Sequence, residues 1–189
     1  MERALVIDHS TLVIRRAAAV VLGALIVAGA AQFSIPLPGT PVPMTLQPMA
    51  VLLVGGLLGA PLGALSMIVY LAMGAAGLPV FTPTVPLVGI ARLFGPTGGY
   101  LLAYPIAAYA TGWFSENQRR EPWARVAFGV LAGLVLIHLG GLAQLAILTG
   151  NLSAAARFGT VPFLLGDLLK IAVLVPVLTK LSPTIRARL

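Results

Sequence analysis

The stretch Val161-Pro-Phe-Leu-Leu-Gly-Asp-Leu-Leu-Lys-Ile-Ala-Val-Leu-Val-Pro-Val-Leu178 is apolar apart from Asp167 and Lys170. Its length suits a membrane-spanning helix, which needs about 20 mostly apolar residues. A charged side chain in hydrocarbon costs on the order of 2.5–3.5 kcal/mol on insertion scales. Spacing of i,i+3 on a helix puts both charges on one face, close enough to pair. Two readings stay open. The pair either fixes helix packing and binds nothing, or it is kept for a polar ligand, with Lys170 holding a carboxylate and Asp167 accepting N–H donors. On the second reading the ligand has both an acid and an N–H donor face.

Composition extends the membrane reading to the whole chain. Hydrophobic residues make up 59% of the 189 and charged residues 9%, against roughly 25% charged in an ordinary soluble domain. Too few charges remain to cover a water-facing surface, so the lipid bilayer is the expected environment. The net charge of +7 does not point to nucleic acid. The basic residues sit at helix ends and are not gathered with aromatics in a soluble patch. The lack of cysteine excludes disulfides, thiolate metal sites and cysteine nucleophiles. Arg15-Arg16, the apolar run after it and Ala28-Gly-Ala-Ala31 share features of a secretory signal. The run is also long enough to span, and a retained first helix is expected.

Reading for further apolar runs gives an all-α bundle of six transmembrane helices, near 13–33, 47–59, 61–77, 97–114, 123–149 and 161–181, in one transmembrane substrate-binding domain over 1–189. The block 47–80 is split because Gly55-Gly56, Gly59 and Pro61 suit a helix end and start better than an interior. Basic residues support the even count. Arg3, Arg15, Arg16, Arg119, Arg120, Arg125, Lys180, Arg186 and Arg188 all fall on one side, which the positive-inside rule makes cytoplasmic. Both termini are then cytoplasmic, and the irregular stretches 34–46, 78–96 and 150–160 face outward. Asp167 lies six residues past Val161, about 9 Å below the outer end at 1.5 Å per residue. The charged pair therefore faces a cavity that opens outward. No internal repeat is apparent, which argues against inverted-repeat transporters.

Other candidates cluster around that cavity. Thr45 could cap the second helix with Gln47 in its first turn, and Gln47 is equally placed to reach a ligand. Gly95-Pro-Thr-Gly-Gly99 opens the fourth helix, where glycines either expose N–H groups to an anion or allow close packing. Arg92 stands just before it. Tyr70, Tyr100 and Tyr104 offer aromatic walls with a polar tip, with membrane-interface anchoring as the alternative, above all for Tyr100. In the first helix Ala19/Gly23 and Ala24/Ala28 repeat small-xxx-small spacing, for internal packing or for docking another subunit. His138 and Gln144 are read as packing residues, since a lone membrane histidine has no second metal ligand. No hydrolase or metalloprotease motif is present, so no enzyme activity and no metal are expected. Asp167 as a proton relay keeps one alternative, a self-sufficient proton-coupled carrier for a small carboxylate-bearing solute.

Four ordered segments together resemble one family. They are Ile35-Pro-Leu-Pro-x-Thr-Pro-Val-Pro-x-Thr-Leu-Gln47, Gly77-Leu-Pro-Val-Phe81, Gly95-Pro-Thr-Gly-Gly-Tyr100 and Pro162-Phe-x-x-Gly-Asp-x-x-Lys170. They are similar to the BioY family, the biotin-binding S-components of energy-coupling-factor (ECF) transporters, over about residues 17–181. The resemblance implies a six-helix bundle in the cell membrane that takes biotin from outside as substrate, with no cofactor. It also implies partners that this chain lacks, a coupling transmembrane subunit and two ATPase subunits. It assigns Asp167 and Lys170 to biotin and matches Gln47 to the glutamine that ends the family's first loop. The small-xxx-small pattern in helix one resembles the docking motif for the coupling subunit. The chain departs from the pattern at Thr82-Pro-Thr-Val-Pro-Leu-Val-Gly-Ile-Ala-Arg92, where the arginine is displaced toward helix four. Asp167, Lys170, Gln47, Tyr70, Arg92 and Tyr104 are the expected substrate-binding residues.

Overall fold

The computed structural model describes residues 9–116 and 122–189. Arg3, Arg119 and Arg120, used in the topology argument, lie outside them. Six long helices form the bundle: α1 (His9–Gln32), α2 (Gln47–Leu58), α3 (Ala60–Ala75), α5 (Gly98–Glu116), α6 (Pro122–Thr149) and α8 (Leu164–Arg186). The stretches expected to be irregular contain two short helices, α4 (Ala91–Phe94) and α7 (Leu152–Gly159), and a two-stranded hairpin. In that hairpin β1 (Ser34–Ile35) pairs antiparallel with β2 (Met44–Thr45), Ser34 opposite Thr45. A 3₁₀ turn at Val161–Phe163 leads into α8.

Among the described residues, three helical stretches are long and apolar enough to cross a membrane by length and composition: Ser10–Gln32, Pro122–Thr149 and Leu152–Arg186. By contrast, α2 and α3 have 12 and 16 residues, or about 18 and 24 Å at 1.5 Å per residue. The loops at one end make up the difference. Val42, Val80 and Phe81 are buried in the same core as the helices, so the hairpin and the 76–90 loop fold down over the bundle. At the opposite end Arg16 Nε donates to the Leu189 carbonyl at 2.8 Å, which brings the start of α1 and the chain end together.

Glycines decide how α2, α3 and α5 meet. Gly59, at φ +88°, turns the chain between α2 and α3. A Cβ on Gly63 would lie 2.7 Å from Gly55 Cα, and one on Gly55 would lie 2.4 Å from the Ala108 carbonyl oxygen. Backbone therefore packs on backbone. Arg186 donates to the Leu57 carbonyl at 3.3 Å, to Gly56 O and to Ser115 O, while Glu116 Oε1 accepts from Ala60 N at 2.6 Å. These two side chains serve helix-end carbonyls and an N–H that the helices cannot satisfy themselves. In α1 the small residues Gly23, Ala24 and Ala28 point inward, and a Cβ on Gly23 would lie 2.7 Å from Ser66 Oγ. Their spacing serves internal packing.

Gly55→Ala is expected to destabilise the bundle by about 1–3 kcal/mol, the usual cost of forcing atoms into a packed interior. Gly29→Ala, with nothing within 4 Å of its Cβ position, should stay within about 0.5 kcal/mol of the parent. Thermal unfolding in detergent, by tryptophan fluorescence, checks the pair.

Candidate ligand-binding site

Beneath the hairpin lies a cavity of about 620 Å³, measured out to its open mouth. Its walls are mainly apolar and aromatic, with Val42, Phe81, Leu134, Ile137 and Phe163 among them. Polar groups converge from α2, α4, α5, α6 and α8.

The first turn of α8 carries Asp167, buried at 7% exposure. Its Oδ1 accepts from Lys170 Nζ at 2.6 Å and its Oδ2 contacts His138 Nε2 at 2.6 Å. The i,i+3 pair expected from spacing therefore forms, but it has a third member from α6. Sequence reasoning missed His138. The signal for it is faint: the small residues Gly140 and Gly141 beside it make room for a neighbouring ring. Tyr100 fills that room, since a Cβ on Gly141 would lie 2.1 Å from the ring. Tyr100 is buried and donates to the Gly159 carbonyl at 2.6 Å, so it is no membrane-interface anchor.

Gln47 starts α2, where its N–H donates to Thr45 Oγ1 at 3.3 Å. Its side chain is 3% exposed and lines the cavity. Gln47 Nε2 donates to Tyr70 Oη at 2.6 Å, and Tyr70 donates to the Val80 carbonyl at 3.1 Å. Tyr70 does not line the cavity. It stands behind Gln47 and ties that residue to the 76–90 loop. Tyr104 does line it, with its ring 6.5 Å from that of Tyr70.

Arg92 lines the cavity at 1% exposure. It donates to the carbonyls of Thr82, Val85 and Leu87, the last at 3.0 Å. Burial draws its pKa below the ordinary guanidinium value, yet arginine stays protonated in proteins. Among the described residues it forms no ion pair. Most of its N–H groups are spent on the loop, so its contribution to the cavity is a fixed positive charge. The Gly95–Gly99 turn is used for packing: a Cβ on Gly99 would lie 2.1 Å from the Gly140 carbonyl oxygen. Gln144 lies off the site and donates to Leu93 O at 3.0 Å and Gly95 O at 2.6 Å.

Thr40 at the hairpin tip donates to the Phe158 carbonyl at 2.7 Å and accepts from Val42 N at 3.1 Å. The lid over the cavity is thereby fastened to α7.

Comparison with known proteins now bears on this geometry. The BioY family model matches residues 3–187. The chain belongs to the BioY family. The "Biotin transporter BioY" of Thermotoga maritima is 41% identical over 150 residues, covering 79% of this chain and 85% of that protein. The "Probable biotin transporter BioY" of Pyrococcus horikoshii is 39% identical over 142 residues, covering 75% and 82%. A crystal structure of the S-component for biotin from an ECF-type ABC transporter superposes with a TM-score of 0.81 at 26% identity, covering 90% of this chain and 92% of that one. In this chain the Asp167–Lys170 face lies under the hairpin, whose Val42, Pro43 and Thr45 line the same cavity.

Arg92→Lys should leave loop carbonyls unpaired, because an ammonium cannot reproduce the guanidinium fork. The expected cost is about 1–3 kcal/mol, with faster proteolytic cleavage between residues 82 and 90. Mass spectrometry of limited digests reads the outcome.

Proposed function

We propose that this chain is the biotin-capturing membrane subunit of an ECF vitamin importer. The observation that carries the reading is the charge arrangement in the cavity. Leaving His138 aside, Arg92 and Lys170 against Asp167 give one surplus positive charge at an apolar, aromatic-walled site. Biotin complements it with one carboxylate and a ureido ring bearing two N–H donors. Lys170 has two N–H groups beyond the one given to Asp167 and meets the carboxylate, aided by the field of Arg92. Asp167 keeps lone pairs for the ureido N–H groups, and Gln47 presents its amide to the same ring. Tyr104 packs against the ligand, while Tyr70 acts through Gln47.

The positive-inside pattern supports cytoplasmic termini in the cell membrane, so biotin enters from the outer side beneath the hairpin. Uptake then depends on a coupling transmembrane subunit and two ATPase subunits. A self-sufficient proton-coupled carrier is not favoured, since the matched crystal structure is an S-component.

Purified protein should bind one biotin per chain with submicromolar affinity. Truncating one member of a buried charge pair costs about 2–5 kcal/mol, so Asp167→Asn and Lys170→Ala should each weaken binding by roughly 30- to 5,000-fold. Isothermal titration calorimetry decides, and absence of biotin binding to the parent would sink the reading. Uptake without any coupling module, abolished by an uncoupler, would restore the carrier.

A further inference from the structure

We propose that His138 is a positioning residue for biotin. It holds the Asp167 carboxylate across the α6–α8 junction so that the remaining lone pairs face the ureido N–H groups. This rests on the biotin reading above.

Lys170 alone cannot fix that orientation. It stands three residues from Asp167 on the same helix and engages one oxygen, Oδ1. The carboxylate could still rotate with its partner following. His138 engages the other oxygen from a different helix. Two donors, one on each oxygen and both at 2.6 Å, leave the carboxylate plane no freedom while α6 and α8 stay packed.

The imidazole is itself held. Its ring centroid is 6.4 Å from that of Tyr100, edge-on at 79°, and 6.4 Å from that of Phe163 at 43°. Tyr100 is anchored in turn on Gly159 O. His138 Nδ1 is buried and has no partner among the described residues. A hydrogen on Nδ1 would be a stranded donor, which is costly. The network thus assigns the hydrogen to Nε2, where Asp167 accepts it. The alignment runs from Gly159 through Tyr100 and His138 to Asp167.

The test is a double-mutant cycle in the full chain, read by equilibrium competition with labelled biotin. His138→Phe keeps an aromatic ring against Tyr100 but removes the donor. It should weaken biotin binding about 10- to 100-fold, as expected for losing a hydrogen bond to a charged group. In an Asp167→Asn background the same change should alter affinity less than two-fold, because its effect passes through the carboxylate. A merely structural role would give the same loss in both backgrounds. His138→Gln, whose amide nitrogen can reach the position of Nε2, should recover most of the affinity, and the shorter His138→Asn should not. The Gln/Asn contrast decides where affinity in the Asp167→Asn background falls beyond measurement, or where His138→Phe does not fold. Unchanged affinity in His138→Phe, equal losses in both backgrounds, or equal Gln and Asn variants would overturn the role while leaving the biotin reading intact. A parent that binds no biotin would overturn both.

Discussion

The half of this bundle beneath the hairpin depends on keeping one carboxylate, Asp167, charged and buried in a protein surrounded by hydrocarbon. An unpaired carboxylate there would be strongly unfavourable, and a half-satisfied one little better. The chain meets the requirement with two donors from two helices, Lys170 and His138. Each must be within reach, so α6 and α8 are fixed side by side. Tyr100 packs on the His138 ring between α6 and the end of α7, so residue 141 is glycine. A single electrostatic demand propagates into packing, and packing in turn shapes the cavity.

The two ends of the bundle solve a related problem with arginine. Proline removes backbone donors, and the 78–90 loop holds Pro79, Pro83 and Pro86. Such a loop has more carbonyl acceptors than N–H donors. Once it folds into the core, water is not there to make up the deficit. Arg92 supplies the donors, binding three carbonyls from one planar group. Arg186 does the same for the ends of α2 and α5, whose last carbonyls are orphaned by helix geometry. In both places a cation is matched to backbone dipoles; Arg92 does this with no ion pair among the described residues, while Arg186 also has the Glu116 carboxylate nearby.

This division explains what could be read in the sequence. Asp167 and Lys170 stood out because charge in an apolar run is rare. The break between α2 and α3 was visible because Gly55-Gly56, Gly59 and Pro61 suit a helix end and start better than an interior. His138 was not visible. A histidine in an apolar helix looks the same whether it faces lipid, core or an ion pair, and only the rotation of α6 against α8 separates these. Tyr70 and Tyr104 carried identical signals, yet one backs Gln47 and the other lines the cavity. Arg92 lines the cavity, but its engagement with carbonyls depends on the path of a loop with no periodicity to read. The small-xxx-small run of α1 left two uses open, and burial of Gly23 and Ala28 assigns it to the interior.

The pairing of Asp167 also bears on how such a site can work through a transport cycle. A binding site that used a bare carboxylate would be stable only when occupied, and emptying it in the bilayer would be prohibitive. Here both donors to Asp167 belong to the chain itself, so its pairing does not depend on a ligand. The ligand then adds to a satisfied carboxylate through its spare lone pairs. What the cavity leaves unbalanced is the single positive charge contributed by Arg92, which is spread over loop dipoles and tolerable in either state. A ligand carboxylate is attracted by that surplus but does not have to be present for the bundle to hold together. On the proposed biotin reading, affinity and release are set by different groups, the acid end by the fixed charge of Arg92 with Lys170, the N–H end by the orientation of Asp167.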